Sequence, residues 1–361
     1  MKKIYPFLFL LLSIIVSCND DESNPQASIE VGRIMQINTL YDTIIFPLQD
    51  THINATQNLI TATQSFTDTP SETSLTELRE AWVISFTTWK ELEMYNFGPS
   101  QINFIHNRIH NWPVNTEDIE SAIASTDQID TNYINGLGSP LKGYGAIEYV
   151  LFQEDLSTTL SQFTTAINAS QRREYVLALV INLEEQAEIL KDTWVSFESE
   201  FKSDLTTSVS GSQNKVINAL IAHVEFIKNT KIEDVLNANP ADVELLEAYY
   251  SEQSKEAIVS NLKSIRATYT GDRMGTNGFG IEEYLTETLQ NSELNTEILN
   301  AINTAETTLS EISGSLEDAV ISNPTQVKNL QNSFSTLITL FKADLASAAN
   351  IIVTFSDNDG D

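Results

Sequence analysis

The sequence predicts an all-α protein made of two pseudo-symmetric up-and-down helical bundles that arose by internal duplication. Apolar residues repeat at helical spacing over long stretches, strand signals are scarce, and one eight-residue pattern occurs twice. The two copies are Gly143-Tyr144-Gly145-Ala146-Ile147-Glu148-Tyr149-Val150 and Gly278-Phe279-Gly280-Ile281-Glu282-Glu283-Tyr284-Leu285. Their separation is too long for a solenoid repeat of about 20–50 residues. It indicates duplication of a whole helical unit.

The helices of the first half follow one another from residue 28. Residues 28–66 read as a long helix that Pro47 kinks. Ser74-Leu75-Thr76-Glu77 is a capping box that opens a second helix, which stops at Gly98-Pro99. The segment from Gly98 to Gly143 is rich in Gly, Pro and Asn, and is expected to be an irregular excursion with a short helix at about 116–125.

Two apolar stripes predict the longest helices of the chain. The first belongs to a helix that starts near Ser170, and the second to a helix opened by Asn323-Pro324. The first stripe is Val176, Val180, Leu183, Ala187, Leu190, Trp194, Phe197 and Phe201, and the second is Val327, Leu330, Phe334, Leu337, Phe341, Leu345, Ala348 and Ile352. Further helices are expected at about 212–229, 251–269 and 293–320.

Composition divides the chain into four parts. Residues 1–17 read as a signal peptide, because an apolar run of about ten residues is half of what a bilayer span needs. Cys18 is the only cysteine. It stands where a lipoprotein carries its acylated thiol, so we expect lipidation there, followed by an acidic flexible tether over 18–27. The halves of the mature domain are 28–208 and 209–361, divided at a Ser/Thr-rich linker.

These features predict a cell-envelope protein that Cys18 acylation anchors in outer-membrane lipid. The acids at 20–22 resemble the acidic export signals of surface lipoproteins, so surface exposure is a further hypothesis. The net charge of −30 excludes nucleic acid as a partner, since phosphate binding needs clustered Lys and Arg. The same charge is consistent with simple solubility or with attraction for cations. A protein partner in the envelope is also possible, but no residue identifies it.

Each repeat places a carboxylate at the same position of the pattern, in the first turns of a helix: Glu148 in the first copy and Glu283 in the second. A helix dipole favours a negative charge there. If the halves pack about a pseudo-twofold axis, the two carboxylates converge on one cavity and bind a cation or share a proton. The alternative is that each glutamate caps its own helix and each tyrosine fills the core.

Histidine is scarce, with only four in the chain. His106 and His110 have the i, i+4 spacing of a two-ligand metal edge, but the same spacing is found on a solvated helix edge. His52 and His223 are expected to be polar surface residues. No second cysteine, Gly-x-Ser-x-Gly elbow or phosphate-binding loop is present, so no catalytic residue is assigned.

Several segments together resemble the imelysin family, which comprises secreted or lipid-anchored bacterial proteins. They are Glu93 to Pro99, Asn111 to Val114, Gly143 to Phe152, Ser251 to Gly271 and the terminal Val353 to Asp361. Because the family is classed with insulin-cleaving peptidases and with EfeO-type iron-uptake lipoproteins, the resemblance implies a helical fold and a metal-dependent or iron-related role. It covers nearly the whole mature chain.

One departure from the family pattern bears on activity. Gly145 stands where the Gly-x-His-x-x-Glu signature of the family has histidine, so Glu148 lacks the imidazole that would ligate metal or shuttle a proton. We therefore expect a non-catalytic protein that binds a divalent metal, iron or a small ligand between its halves. The alternatives are a metallopeptidase of the imelysin type and a protein-interaction module. The expected metal residues are Glu148, Glu283 and Glu93, and the expected ligand-binding residues are Tyr144, Phe279 and Trp112.

Overall fold

Helices joined by short connections make up most of the chain. A computed structural model describes residues 25–125, 128–238 and 240–354. In the first half the helices are α1 (Pro25–Thr39), α2 (Phe46–Asp68), α3 (Glu72–Leu92), α4 (Pro99–Ile102), α5 (Ile105–Ile109), α6 (Thr116–Ile123), α7 (Thr131–Gly136), α8 (Gly143–Phe152), α9 (Leu156–Thr164) and α10 (Ala169–Ser203).

The second half continues in the same way. Its helices are α11 (Ser212–Phe226), α12 (Asp234–Asn237), α13 (Ser254–Thr270), α14 (Ile281–Glu283), α15 (Ser292–Ser310), α16 (Leu316–Ser322), α17 (Pro324–Thr339) and α18 (Ala346–Ala348). Within the described ranges there is no β-sheet, and one isolated antiparallel bridge joins Arg273 to Thr276. The all-α prediction is confirmed.

In the described ranges, four π-helical segments adjoin α-helices. They are Leu40–Ile45, Ile227–Glu233, Tyr284–Thr288 and Leu340–Leu345, and 3₁₀ turns occur at Ser139–Leu141 and Val243–Leu245. The run predicted over 28–66 is helical throughout, because the backbone stays right-handed helical at Thr39, Ile45 and Phe46, on either side of the π segment. Pro47 lies in the first turn of α2. A π segment of this kind usually occurs as a single wide turn inside a helix.

The start of α3 differs from the prediction. The capping residue is Ser71, whose side chain accepts from the backbone N–H of Ser74, and the Ser74 side chain returns the bond to the Ser71 backbone. The predicted box at 74–77 was wrong by three positions because serine also stands at 71, one turn earlier. A short serine side chain supplies the return bond that a glutamate makes in the usual motif.

The stripe predicted for the long central helix is confirmed. All eight of its residues are buried on α10, which packs with α2, while α2 packs in turn against α3. The stripe of α17 is buried as far as Leu345, but Ile352 is exposed. Contacts between α3 and α13 join the two halves, and buried apolar side chains from Ile37 to Ala349 form one continuous cluster.

The predicted boundary near 208 falls in the connection between α10 and α11. The predicted signal peptide and Cys18 lie outside the described residues. The tether predicted to reach residue 27 overlaps the start of α1 at Pro25. None of the helices in the described ranges is long and apolar enough to cross a bilayer.

The duplication remains a prediction, because the two repeats have different backbones. The first lies within the regular helix α8, whereas in the second only Ile281–Glu283 is α-helical before the π segment Tyr284–Thr288.

Candidate functional site

A cavity of about 370 Å³ lies between helices of the two halves, and we call it the histidine cavity. Its walls include the end of α3, helix α5 with the segment that follows it, and α11. The lining residues that matter below are Trp89, Glu93, His106, His110, Trp112 and His223. A volume of this size is that of a small-molecule site.

Aromatic packing fixes the imidazole rings of the cavity wall. The ring of His106 lies edge-on to Trp89, with centroids 4.8 Å apart, and that of His110 stacks on Trp112 at 5.3 Å. Trp112 is itself held because its indole N–H donates to the carbonyl of Leu245. The rings are thus positioned before any ligand binds.

His106 and His223 each have a buried ring nitrogen without a hydrogen-bond partner in the described structure. The two residues are 7% and 5% exposed, and Nε2 of each is buried without a hydrogen-bond partner in the described structure. Burial lowers the pKa of each imidazole to about 3, so both are neutral near pH 7. A neutral imidazole has one lone pair, which is the form that binds a metal.

Next to the cavity lies a group of four charged side chains, which we call the lysine–glutamate cluster. Its members are Lys90, Glu93, which also lines the cavity, Lys231 and Glu247. Lys90 Nζ donates to Glu93 Oε1 at 2.5 Å and also contacts Glu247 Oε1. Lys231 Nζ donates to Glu93 Oε2 and Glu247 Oε2, each at 2.8 Å. The formal charges cancel, which is the condition for burying ions in a protein interior.

Electrostatics within the cluster keeps Glu93 and Lys231 ionised. Burial acts to raise the pKa of Glu93, but Lys231 and Lys90 outweigh it and hold that pKa well below its usual range. Burial acts to lower the pKa of Lys231, but Glu247 and Glu93 raise it. Burial lowers the pKa of Lys90. Its deprotonation would nevertheless leave one buried carboxylate unneutralised, which is costly, so we assign it as an ammonium.

The cluster includes an arrangement that resembles a metal site. Ligand atoms of Glu93, His110 and Glu247 all lie within 4.8 Å of one another. The two ammonium groups, however, already contact both carboxylates, and Lys90 Nζ lies 3.0 Å from His110 Nδ1. A cation would have to displace both lysines, so these three residues do not fit a metal ion as they stand.

Lys90 also determines the tautomer of His110. An ammonium has only donors, so His110 Nδ1 must accept, and the ring proton of the neutral imidazole is then on Nε2. Burial lowers the pKa of His110 well below its usual range, which excludes the doubly protonated form near pH 7. His110 therefore offers the cavity an N–H donor and no lone pair.

The structure places Glu148 beside the cluster. The side chain is 3% exposed, and one carboxylate oxygen accepts from the backbone N–H and the hydroxyl of Ser251, each at 2.8 Å. Burial raises the pKa of Glu148 to about 8, although the two Ser251 bonds act to lower it. Glu317 and Glu247 are the nearby negative charges that also raise it.

The second predicted carboxylate has different surroundings. Glu283 accepts from the backbone N–H of Gly280 at 2.7 Å, so it caps its own helix start, and the charges acting on it are Glu282 and Glu287. Glu283 is not among the residues that line the histidine cavity. The structure therefore does not bring Glu283 to the histidine cavity.

The remaining predicted residues divide between cavity and core. Glu93 and Trp112 line the cavity. Tyr144 is fully buried, with its hydroxyl 2.8 Å from His52 Nε2 and bonded to Ser85. The backbone N–H of Phe279 donates to Thr39 Oγ1, and its partly buried ring packs against the core.

Comparison with known proteins supports the relationship suggested by the sequence motifs. The model of the imelysin peptidase family matches residues 48–343. The chain belongs to the imelysin family. The iron-regulated protein A of Synechococcus elongatus is 21% identical over 243 residues, a match that covers 64% of this chain and 63% of that protein.

Two solved structures have the same fold as this chain. One is described as an iron-regulated protein A precursor from Parabacteroides distasonis, with a TM-score of 0.75, 17% identity, and coverage of 88% of this chain and 95% of that one. The other is an imelysin-like protein from Psychrobacter arcticum, with a TM-score of 0.75, 18% identity, and coverage of 90% and 98%.

Gly145, which stands in place of the signature histidine, is enclosed by the segment between Gly98 and Gly143. A Cβ atom at Gly145 would lie 2.5 Å from the carbonyl oxygen of Asn111 and 2.8 Å from Cγ1 of Val114. Contacts that short do not occur for real Cβ atoms, so the 111–114 segment fills the space that a side chain needs. A histidine at 145 would require that segment to move.

Sequence reasoning missed several residues of the site. His52 and His223 were predicted at the surface, and a solvated edge was one option for His106 and His110, yet all four are buried. Lys90, Lys231 and Glu247 were not selected at all. A local signal existed only for Lys90, which is three residues before Glu93 on the same helix face.

Proposed function

We propose that this protein is a non-catalytic binding protein of the cell envelope, with an iron-related role, that holds a transition-metal ion in the histidine cavity. The observation that carries the proposal is the pair of buried neutral imidazoles, His106 and His223, which line one cavity without hydrogen-bond partners in the described structure. Imidazole nitrogen suits iron, copper, nickel and zinc, whereas calcium and magnesium prefer oxygen.

The absence of catalysis is inferred from the residues of the signature. Gly145 supplies no acid, base or ligand. Glu148 does not line the cavity, and its carboxylate accepts two hydrogen bonds from Ser251 instead. A glutamate that served as general base would have to reach a substrate proton directly or through one water. The iron-related part of the proposal rests on the names of the relatives, two of which are iron-regulated proteins.

The envelope location rests on the sequence. Acylation of Cys18 would anchor the chain in outer-membrane lipid, with an envelope protein as a further partner. A Cys18→Ser variant is expected to leave the membrane fraction. Its retention there would contradict the anchor.

Metal titration tests the function. Ni²⁺ and Zn²⁺ are expected to bind with a stoichiometry of about one ion per chain by calorimetry. Ni²⁺, whose d shell is partly filled, should also quench fluorescence from Trp89 and Trp112, which line the cavity, whereas d¹⁰ Zn²⁺ should not. Replacing two neutral nitrogen ligands by amides in the double variant His106→Gln/His223→Gln should weaken binding by at least about 100-fold, or roughly 3 kcal/mol.

The matched control is His52→Gln. His52 is equally buried and neutral, but it bonds Tyr144 and does not line the cavity. This variant should bind metal like the wild type, and Ca²⁺ should bind none of the proteins. Equal binding by the double variant and the wild type would refute the assignment.

A further inference from the structure

Helix α1 has its polar and apolar faces the opposite way round from an ordinary surface helix. Val31, Ile34 and Met35 are 53%, 37% and 44% exposed, whereas Arg33 and Gln36 on the other side are buried. Positions i, i+3 and i+4 lie on one face of a helix, so the three exposed side chains form one apolar stripe, which we call the α1 stripe. A helix that packs on a core normally turns its apolar face inward.

Contacts on the inner side of α1 fix this orientation. Arg33 Nε donates to Gln213 Oε1 at 2.9 Å, and Gln213 Nε2 donates to Gln36 Oε1 at 2.6 Å, so one glutamine of α11 joins both residues. Gly32 packs so closely on the second half that a Cβ there would lie 2.3 Å from Thr288 Oγ1. Turning the stripe inward would break both hydrogen bonds and leave buried polar groups unsatisfied, which is costly. The stripe therefore faces outward in the folded protein.

The stripe lies close along the chain to the predicted lipid anchor. Pro25, where α1 begins, is seven positions after Cys18. Since a chain spans at most about 3.6 Å per residue, α1 begins within about 25 Å of the acylated thiol. Val31 is one and a half turns further along the helix, which adds about 9 Å. The surface of the membrane that holds the acyl chains is thus within reach of the stripe.

A second copy of the chain is a poorer match for the same face. A stable dimer buries roughly 800 Å² on each partner, and three partly exposed side chains supply far less. The formal net charge of −30 also opposes close contact between two copies. Anionic lipid is disfavoured for the same reason, because Glu30 beside the stripe is exposed and Arg33, the basic residue of α1, is buried. The face therefore fits an apolar surface whose headgroups have no net charge.

We propose that the α1 stripe contacts the surface of the membrane in which Cys18 is anchored, between headgroups without net charge. The helix lies along the interface with the stripe toward the acyl chains, at the depth of about 5–10 Å that is usual for interfacial helices. The folded domain then has a second contact with the lipid besides the acyl chains, and this contact fixes its orientation on the membrane. The inference rests on the proposed Cys18 anchor and does not depend on what the histidine cavity binds.

A fluorescent label at position 35 tests the contact. The chain has no cysteine besides Cys18. Acylation blocks that thiol, so Met35→Cys provides one free thiol for a nitrobenzoxadiazole label. The acylated protein is reconstituted in phosphatidylcholine vesicles with and without brominated acyl chains. The label at 35 should be quenched by brominated lipid, and its emission should shift to the blue. The control is Ile321→Cys, at an exposed position of α16, which should show neither effect.

Two further measurements separate apolar contact from charge. Val31→Ser and Ile34→Ser together remove two partly exposed apolar side chains, so the ratio of docked to undocked protein should fall by about tenfold. Vesicles that contain phosphatidylglycerol should reduce the quenching at low salt, and added salt should restore it. Both serines replace exposed residues, so circular dichroism should show an unchanged fold.

The outcomes distinguish this inference from the anchor on which it rests. If the protein stays with the vesicles but the label at 35 is quenched no more than the label at 321, the stripe proposal is wrong and the anchor stands. If the wild type carries no acyl chain and does not stay with the vesicles, the anchor is wrong and the stripe proposal fails with it. If the label at 35 in the Cys18→Ser chain shifts to the blue as protein concentration rises without lipid, the stripe is an interface between copies and the lipid proposal is wrong.

Discussion

The two copies of the Gly-aromatic-Gly-x-x-Glu-Tyr pattern share a sequence and differ in their surroundings. In the first copy Glu148 is buried and bonded across the halves to Ser251, beside the lysine–glutamate cluster. In the second copy Glu283 bonds the backbone of Gly280, three residues away. The glutamate of the first copy therefore links the two halves, whereas the glutamate of the second copy caps its own helix. Neighbours distant in the sequence decide which role the carboxylate has.

The largest difference between the copies is expected at their first glycine. Gly143 has a φ of +73°, and a Cβ there would lie 2.3 Å from the carbonyl oxygen of Ile109. Left-handed backbone costs an L-residue about 1–2 kcal/mol, and pressing on fixed backbone adds about 1–3. Gly143→Ala should therefore destabilise the fold by about 3 kcal/mol or more in urea unfolding.

The matched change is Gly278→Ala in the second copy. Its φ is not positive, and its nearest contact is Cγ2 of Thr39, a side chain, although the carbonyl oxygen of Gly271 is also close at 2.7 Å. We expect a smaller cost of about 1–2 kcal/mol. Equal costs at the two positions would show that the copies are constrained alike.

The next prediction concerns pH and the two glutamates. Burial raises the pKa of Glu148 to about 8 from a usual value of 4.5. The folded protein therefore holds this proton more tightly than the unfolded chain. The resulting stabilisation is complete below pH 4.5 and is lost as the pH rises through about 8. Glu148→Gln keeps a neutral side chain, so its stability relative to the wild type should rise by up to about 2 kcal/mol between pH 6 and pH 8.

Urea unfolding of both proteins across this pH range measures the effect. Glu283→Gln is the control, because burial also raises the pKa of Glu283 but the side chain is partly exposed, so solvent screens its charge. Its profile should follow that of the wild type closely. Parallel profiles for Glu148→Gln and the wild type would mean that Glu148 is ionised in the folded protein at neutral pH.

A feature could be predicted from the sequence when the residues that form it are close together along the chain. The α10 stripe depends on a spacing of three and four residues, so it was read correctly from Val176 to Phe201. The cluster depends on pairs far apart in the chain, since Lys90 and Glu247 are 157 positions apart and Lys231 and Glu93 are 138 apart. No local pattern marks such pairs.

The histidines show the same limit. His106 and His110 were noticed for their i, i+4 spacing, but the spacing gave no sign that Lys90 would take the Nδ1 atom of His110. His223 comes from the other half, and only the packing of α11 against the first half brings it to the same cavity. The i, i+4 spacing of His106 and His110 therefore identified the region of the cavity. It could not identify His223, which comes from the other half of the chain.

The smallest expected difference is at the tyrosine that ends the shared pattern. Tyr149 donates to Glu120 at 3.2 Å, whereas the buried hydroxyl of Tyr284 has no partner within the described ranges. Tyr149→Phe should lose about 0.5–1 kcal/mol in urea unfolding. It removes a hydrogen bond to the carboxylate of Glu120, whose side chain is 37% exposed, so water competes for the same acceptor. Tyr284→Phe should be neutral or stabilising by up to about 1 kcal/mol, because it removes a buried polar group that is not satisfied. If Tyr284→Phe instead destabilised as much as Tyr149→Phe, its hydroxyl would have a hydrogen-bond partner such as a buried water. The second copy would then carry a polar contact of its own beyond the helix cap.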